Sequence, residues 1–381
     1  MTTGTRSLAV IGIVLALASI PAYPDDNEDG VNFLQSKDYA RALASFRKAA
    51  SRGSALAQYN LGLMYDHGQG VTRDYKQASS WYEKAAARGL PQAQFNLGVM
   101  YARGLGVQRD YKRAVSWYEK AAAQGLASAQ LNLGVLHEKG EGVPQDFARA
   151  VFWYQKAAAQ SFADGQASLG AMYDEGKGVS QDYAKAMFWY EKAARQGHAG
   201  AQNNLGVMYD EGKGVARDYR KAMSWYLKAA QQGYAPAQAS IGVLYDNGQG
   251  VPKDFQSAMY WYAQAAAQGN ATGQNNLGTM YELGTGVARN YQQAISWYAK
   301  AAEQGYAPAQ FNLGALYANR QSGRQDYVEA HKWLSVAAAH GYTNARQAIV
   351  AVERQMTREQ IVEGQRRTSE WMKMHVITTP R

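Results

Sequence analysis

The stretch Tyr209 to Tyr219, YDEGKGVARDY, carries glycines around a lysine and so raises the chemistry of a phosphate-cradling loop. Such a loop needs two glycines four residues apart, then Lys, then a Ser or Thr whose hydroxyl reaches the metal. Here five residues separate Gly206 from Gly212, and Lys213 is followed by Gly214, so the phosphate reading fails on spacing. Ser45 and Lys48 form the one Ser-x-x-Lys, the spacing of serine β-lactamases, but Ser-Asp-Asn and Lys-Thr-Gly companions are missing. A β-lactamase-like hydrolase therefore stands only as an alternative. The six histidines, at 67, 137, 198, 331, 340 and 375, include no i, i+3 or i+4 pair, and the chain has no cysteine. Neither a metal site, nor a disulfide, nor a thiol nucleophile is expected, and we assign no catalytic residue and no cofactor.

The elements around the opening stretch explain its glycines. Shifted against itself by 36 residues, the sequence matches from Ala57 to Asn344, giving eight units. The counterparts read YDHGQGVTRDY, YARGLGVQRDY, HEKGEGVPQDF, YDEGKGVSQDY, YDNGQGVPKDF and YELGTGVARNY, with a degraded YANRQSGRQDY in the last. The lysine varies, whereas Gly-x-Gly-Val and the following Asp or Asn with an aromatic residue persist. Upstream, Ala201, Leu205, Met208 and Tyr209 form one stripe of a helix, helix A. Gly212 suits the left-handed residue that ends it, and Asp218 caps a second helix, helix B, whose stripe is Ala222, Trp225, Tyr226, Ala229 and Ala230. The loop is a helix-to-helix turn.

Two regularities bear on packing. A glycine recurs inside helix A at 62, 98, 134, 170, 206, 242, 278 and 314, each costing about 1 kcal/mol against Ala, which implies close approach of a neighbour. Eight of nine tryptophans share one slot of helix B: 81, 117, 153, 189, 225, 261, 297 and 333. An aromatic stripe at this spacing beside alanines reads as core.

The unit A-x-x-x-L-G-x-x-Y-x-x-G-x-G-V-x-x-D-x-x-x-A-x-x-W-Y-x-K-A-A-x-x-G resembles the Sel1-like repeat, a relative of the tetratricopeptide repeat. His137, Ser161, Asn290 and Leu334 depart from it locally. The resemblance implies an all-α fold, a right-handed superhelical solenoid of antiparallel helix pairs. It also implies a protein-interaction scaffold of the periplasm or cell exterior, not an enzyme. Because such proteins also serve exopolysaccharide secretion, a glycan-binding or polysaccharide-export accessory is a second reading, with cell-envelope polysaccharide as partner.

The ends divide the chain further. Residues 1–22 read as a signal peptide: Arg6 precedes an apolar run from Ser7 to Ile20 that is too short to span a bilayer, and Ala16-Leu17-Ala18 and Ile20-Pro21-Ala22 offer two cleavage sites. Export to the periplasm or beyond, with no stable membrane span left after cleavage, is the expectation. Residues 23–56 read as a partial capping repeat, 57–344 as the eight repeats, and 345–381 as capping helices with a tail, Thr357 and Gln360 opening the last helix. The net charge of +9 without an interleaved basic and aromatic strip gives no support to nucleic-acid binding.

A partner surface follows from the helix A wheel. If Ala57, Leu61, Met64 and Tyr65 face the core, the third, seventh and tenth slots, Tyr59, Leu63 and Asp66 in the first repeat counted from Ala57, point away and line a concave groove. The third slot supplies Tyr59, Phe95, Leu131, Asn203, Asn275 and Phe311; Tyr59, Phe95 and Phe311 would be apolar anchors. The tenth supplies an acidic track, Asp66, Asp174, Asp210 and Asp246, to pair with basic residues of another protein.

Overall fold

The computed structural model describes residues 26–320, 323 and 325–376; the segment expected to be a signal peptide lies outside them. Every regular element there is helical, and the chain divides after His198 into two compact units. The first holds α1 (Asp26–Gln35), α2 (Tyr39–Ser51), α3 (Ala55–His67), α4 (Tyr75–Ala87), α5 (Pro91–Arg103), α6 (Tyr111–Ala123), α7 (Ala127–Lys139), α8 (Phe147–Ala159), α9 (Ala163–Glu175) and α10 (Tyr183–Arg195). The second holds α11 (Ala199–Glu211), α12 (Tyr219–Gln231), α13 (Ala235–Asn247), α14 (Phe255–Ala267), α15 (Ala271–Leu283), α16 (Tyr291–Glu303), α17 (Ala307–Ala318), α18 (Tyr327–Ala339), α19 (Ala345–Glu353) and α20 (Arg358–Val376). Odd-numbered helices from α1 to α17 are helices A, and their even-numbered partners are helices B.

The turns form as their residues dictate. In the opening stretch Gly212 is left-handed at φ 75°, its N–H donates to the Met208 carbonyl, and Asp218 accepts from the Lys221 N–H at 3.0 Å. Lys213 pairs with Glu211 at 2.6 Å. The second glycine has an additional duty. A Cβ on Gly106 would come within 2.1 Å of the Tyr75 carbonyl oxygen, so the turn of one repeat closes on the start of the preceding helix B. Only a residue without a side chain fits there.

The glycine inside helix A meets a ring rather than a backbone. Tyr82 lies on Gly62 so closely that a Cβ would sit 2.5 Å from the ring, and Tyr154 covers Gly134 in the same way, at 2.3 Å. This tyrosine, one residue after the tryptophan, is the buried centre of each repeat from Tyr82 to Tyr298, with at most 1% exposure. The tryptophan expectation is corrected accordingly. Seven of the eight, Trp81 to Trp297, are only half-buried. One edge packs on the preceding repeat, as Trp153 does on the cluster of Phe95, Tyr118 and Leu133. Lysine ammoniums cover several outer faces, Lys84 over Trp81 and Lys228 over Trp225 both at 3.9 Å. Two neighbouring helical positions lie about 100° apart, and the packing direction of helix A decides which one is deepest.

A buried amide runs along each unit beside these rings. Gln94 donates from Nε2 to the Ala86 carbonyl at 3.2 Å and accepts from Gln124 at 2.9 Å; Gln130 does the same with Ala122 and Gln160. In the second unit Gln304 donates to Gln274, and His340 takes the corresponding place against Gln310 at 2.8 Å. The ladder has one gap. Arg88 replaces the donor glutamine, and the Gln58 Oε1 is left buried without a partner.

At the N-terminal end α1 gives the incomplete unit a helix A of its own, with Gly30 under the Phe46 ring. At the other end Thr357 and Gln360 exchange hydrogen bonds of 2.9 and 3.3 Å and start α20, as their spacing predicts. Ser45 sits in the tryptophan slot of α2, and Lys48 is tied to Asp26 at 2.8 Å, so this pair does not form a nucleophile and base.

Candidate interaction face

The third slot of helix A does not face outward. Tyr59, Phe95 and Leu131 are 5%, 1% and 4% exposed, and Asn203 and Asn275 are buried as well. Phe311 is half-buried and stacks on Tyr342, ring centroids 4.7 Å apart. The reason is the number of neighbours. Inside a unit a helix A touches its own helix B and also the helices A of adjoining repeats, so the buried arc is wider than one stripe. Asn312 shows the contact directly, donating to Asn275 Oδ1 at 3.0 Å. Tyr59 meets the Tyr82 ring at 5.8 Å, and burial pushes its phenol up to about 12. These side chains are walls, not free anchors.

The tenth slot is half-exposed, and its acids have a structural duty. Asp66 accepts from the Tyr82 hydroxyl at 3.1 Å, Glu138 from Tyr154 at 2.6 Å, Asp210 from Tyr226 at 3.2 Å, Asp246 from Tyr262 at 3.4 Å and Glu282 from Tyr298 at 2.6 Å. Asp174 occupies the same slot, half-buried. A phenol buried to the ring needs an acceptor, and the carboxylate supplies it. Burial first, and then the nearby carboxylate, raises the Tyr226 and Tyr298 phenols, which therefore stay protonated donors. Burial also raises the Asp210 carboxyl. Asp66, Glu138, Asp210, Asp246 and Glu282 each give one oxygen to the tyrosine of the same repeat.

The slot that lines the accessible surface in most repeats is the fourth: Asn60, Asn96, Asn204, Ser240, Asn276 and Asn312 are half-buried, whereas Asn132 and Ser168 in the same slot are buried. Sequence reading passed over it. The available signal was a hydrogen-bonding side chain in every repeat at a position bordering an apolar stripe. In the second unit these amides adjoin the acids around a shallow polar cavity of about 210 Å³, lined by Val243, Asp246, Asn247, Tyr262, Asn276 and Thr279. Turn cations take no part: Arg73 and Lys253 lie over Tyr75 and Phe255, the rings that open the next helix B, at 5.4 and 4.6 Å.

Among the described residues no group of three or more His, Asp or Glu is placed to hold a metal ion, and no helix is long and apolar enough to cross a membrane. The arrangement offers hydrogen bonds and negative charge along a surface.

Comparison with known proteins agrees with the repeat. A Sel1 repeat family model matches nine consecutive segments, 28–54, 55–90, 91–126, 127–162, 163–198, 199–234, 235–270, 271–306 and 307–342, and so includes the incomplete first unit. A protective antigen present in uropathogenic Escherichia coli strains, displaying an SLR fold, is 31% identical with a TM-score of 0.56, covering 93% of this chain and 87% of that one. A Sel1 repeat protein from Oxalobacter formigenes is 35% identical with a TM-score of 0.60, covering 64% of this chain and 96% of its own. The curated relatives, DAP3-binding cell death enhancer 1 of Rattus norvegicus and of Mus musculus, match at 46% identity over 44 residues, 12% of this chain and only 9% of their own length. With repeats matched from 28 to 342 and solved relatives above 30% identity covered over most of their length, the chain belongs to the Sel1 repeat family, whose members generally serve as protein-interaction scaffolds.

Proposed function

We propose that this chain is a non-catalytic adaptor of the bacterial periplasm or cell exterior, and that the helix A face of its second unit holds a basic segment of another protein. One observation carries the reading: between α13 and α15, where the third slot is Ala239 and Asn275, a shallow polar furrow opens against Asp246 and Asn276, with Asp210 and Glu282 in the same slot of α11 and α15 as Asp246 in α13. Asparagine and serine in the fourth slot both donate and accept, so they suit the alternating groups of a peptide backbone, while the acids suit lysine or arginine side chains. The basic balance of the whole chain makes this acidic strip the exception on its surface.

The test is a photo-crosslinking residue at Val243 in the exported protein, with the crosslinked peptide sequenced. A lysine- or arginine-containing peptide is expected, and its yield should fall when Asp246→Lys and Glu282→Lys are combined. Labelling that survives the double reversal overturns the site. Export is tested by intact mass: a chain beginning near Ser19 or Tyr23 is expected, whereas full-length protein with Met1 in a cytoplasmic fraction removes the envelope location.

A further inference from the structure

The residue before the tryptophan in helix B is Ser80, Ser116, Ser224 and Ser296 in four repeats, Tyr260 and Lys332 in two of the second unit, and Phe152 and Phe188 in two adjoining repeats of the first unit. Both rings are half in water, 48% and 50% exposed. Each stands edge-on against its tryptophan at 5.0 Å, Phe152 on Trp153 and Phe188 on Trp189. Lys156 and Lys192 lie beside them, 4.9 and 4.5 Å from the phenylalanine ring centres. Trp189 packs in turn on the cluster that holds Val151 and Tyr154 of α8, so the two pairs share one ridge. Serine serves this slot in four other repeats, so the fold does not require the rings; Tyr260, a lone ring edge-on against Trp261 at 5.3 Å, has no second ring in the adjoining repeats.

The second unit displays what covers such a face. There α20 lies along α18: Trp371 meets Trp333 at 5.7 Å, and Arg367 pairs with Glu329 at 2.7 Å. Under that cover Trp333 is 4% exposed, unlike the half-buried tryptophans of the other repeats. The helix B surface at this slot thus accepts a helix bearing an aromatic side chain. In α8 and α10 the position of Glu329 is held by Arg149 and Lys185, so the charge is reversed. Arg149 and Lys185 lie beside the helix-capping Asp146 and Asp182 at 3.7 and 3.1 Å, and Glu191 is paired with Arg195 at 3.5 Å, so Lys156 and Lys192 are the cations set against the phenylalanine rings.

We propose that the outer face of α8 and α10 docks an amphipathic helix of a partner protein, with apolar residues seated on Phe152 and Phe188 and Asp or Glu meeting Lys156 and Lys192. α20 of a second copy is the poorer occupant, since it already lies along α18 through Trp371 on Trp333 and Arg367 on Glu329. This surface lies on the helix B side, apart from the helix A furrow, and each can exist without the other.

The test uses the full chain with a photo-crosslinking residue at Gln155, exposed on the same turn. The expected product is a crosslinked peptide with apolar residues at helical spacing and flanking acids. Phe152→Ser with Phe188→Ser restores the residue of the other repeats, so the fold should persist, and the crosslink should weaken about tenfold or more. Lys156→Glu with Lys192→Glu should also weaken it, while Lys120→Glu should not. A crosslink to a lipid, a glycan, a second copy or a basic peptide overturns the proposal. So does an undiminished crosslink in the double-serine variant with an unchanged melting temperature, or no crosslink at all.

Discussion

The helix A faces of the two units are built from one template and end up unlike. In the first three complete repeats of the first unit, the third and seventh slots hold Tyr59, Phe95, Leu131 and Leu63, Val99, Val135, all buried. In the first three of the second unit they hold Asn203, Ala239, Asn275 and Val207, Val243, Thr279; the seventh-slot residues stay partly exposed, and the shallow cavity opens among them, while the fourth helix A of each unit departs from its neighbours, with Ala167 and Ala171 in α9 and Phe311 and Ala315 in α17. Filling the slots with rings and branched chains stiffens a face and closes it. Leaving them small keeps hydrogen-bonding groups within reach of a ligand. A solenoid can therefore specialise one stretch for cohesion and another for contact without altering the backbone plan.

What the faces share should be costliest to remove. Tyr154→Ala in the first unit and Tyr226→Ala in the second each empty the space over a helix A glycine, and each should cost about 3 to 5 kcal/mol in urea unfolding. A much smaller loss in only one unit would show that the rings differ in weight. Phe95→Ala comes next, because it opens the closed face at a residue 1% exposed and should also lower the urea midpoint strongly. The converse change, Asn275→Phe, should cost about 1 to 3 kcal/mol by overpacking and block the furrow. If Asn275→Phe leaves a crosslink from Val243 intact, the contrast between the faces has no bearing on binding.

Smaller effects sharpen the comparison further. Trp153→Ala, removing a half-buried ring, should cost about 2 kcal/mol, less than the neighbouring tyrosine. Arg88→Gln should stabilise the first unit by about 0.5 to 1.5 kcal/mol, because it gives the Gln58 oxygen the donor that later repeats possess. Equal stability of this variant would mean that solvent already satisfies the amide. Finally, the Asp210 carboxyl is raised by burial, so the folded form binds its proton more readily than the unfolded one. Its contribution thus becomes less favourable as pH rises from the ordinary carboxylate range through the raised value. Asp210→Asn should remove that part of the pH dependence of the melting temperature, and the difference should vanish well below pH 4.

Features that act within a few residues of their own position were legible in the sequence. Gly212 ending a helix, Asp218 starting the next and Thr357 with Gln360 opening α20 depend on local backbone geometry, and all appear as read. Depth was not legible. Trp153 and Tyr154 are neighbours on one wheel, and only the direction of approach of α7, through the glycine at 134, puts the tyrosine at the centre. Tyr59 was misplaced because a wheel records one buried stripe, whereas an inner helix of a stack has neighbours on three sides. The fourth-slot asparagines and serines and the Phe152 and Phe188 ridge left a trace that pattern reading could have used: the first carry a hydrogen-bonding group in every repeat, and the second depart from the serine of four other repeats.

The glutamine ladder has a consequence for how such genes grow and shrink. Each rung joins a side chain to one 30 residues further on, and the donor and acceptor return every 36. Cutting out or duplicating one whole period inside a unit brings an identical donor to an identical acceptor, so the splice heals at the level of hydrogen bonds. A gain or loss of any other length strands a buried amide. Unequal recombination between repeats is thus filtered by a simple arithmetic, and the number of repeats can drift while their phase cannot.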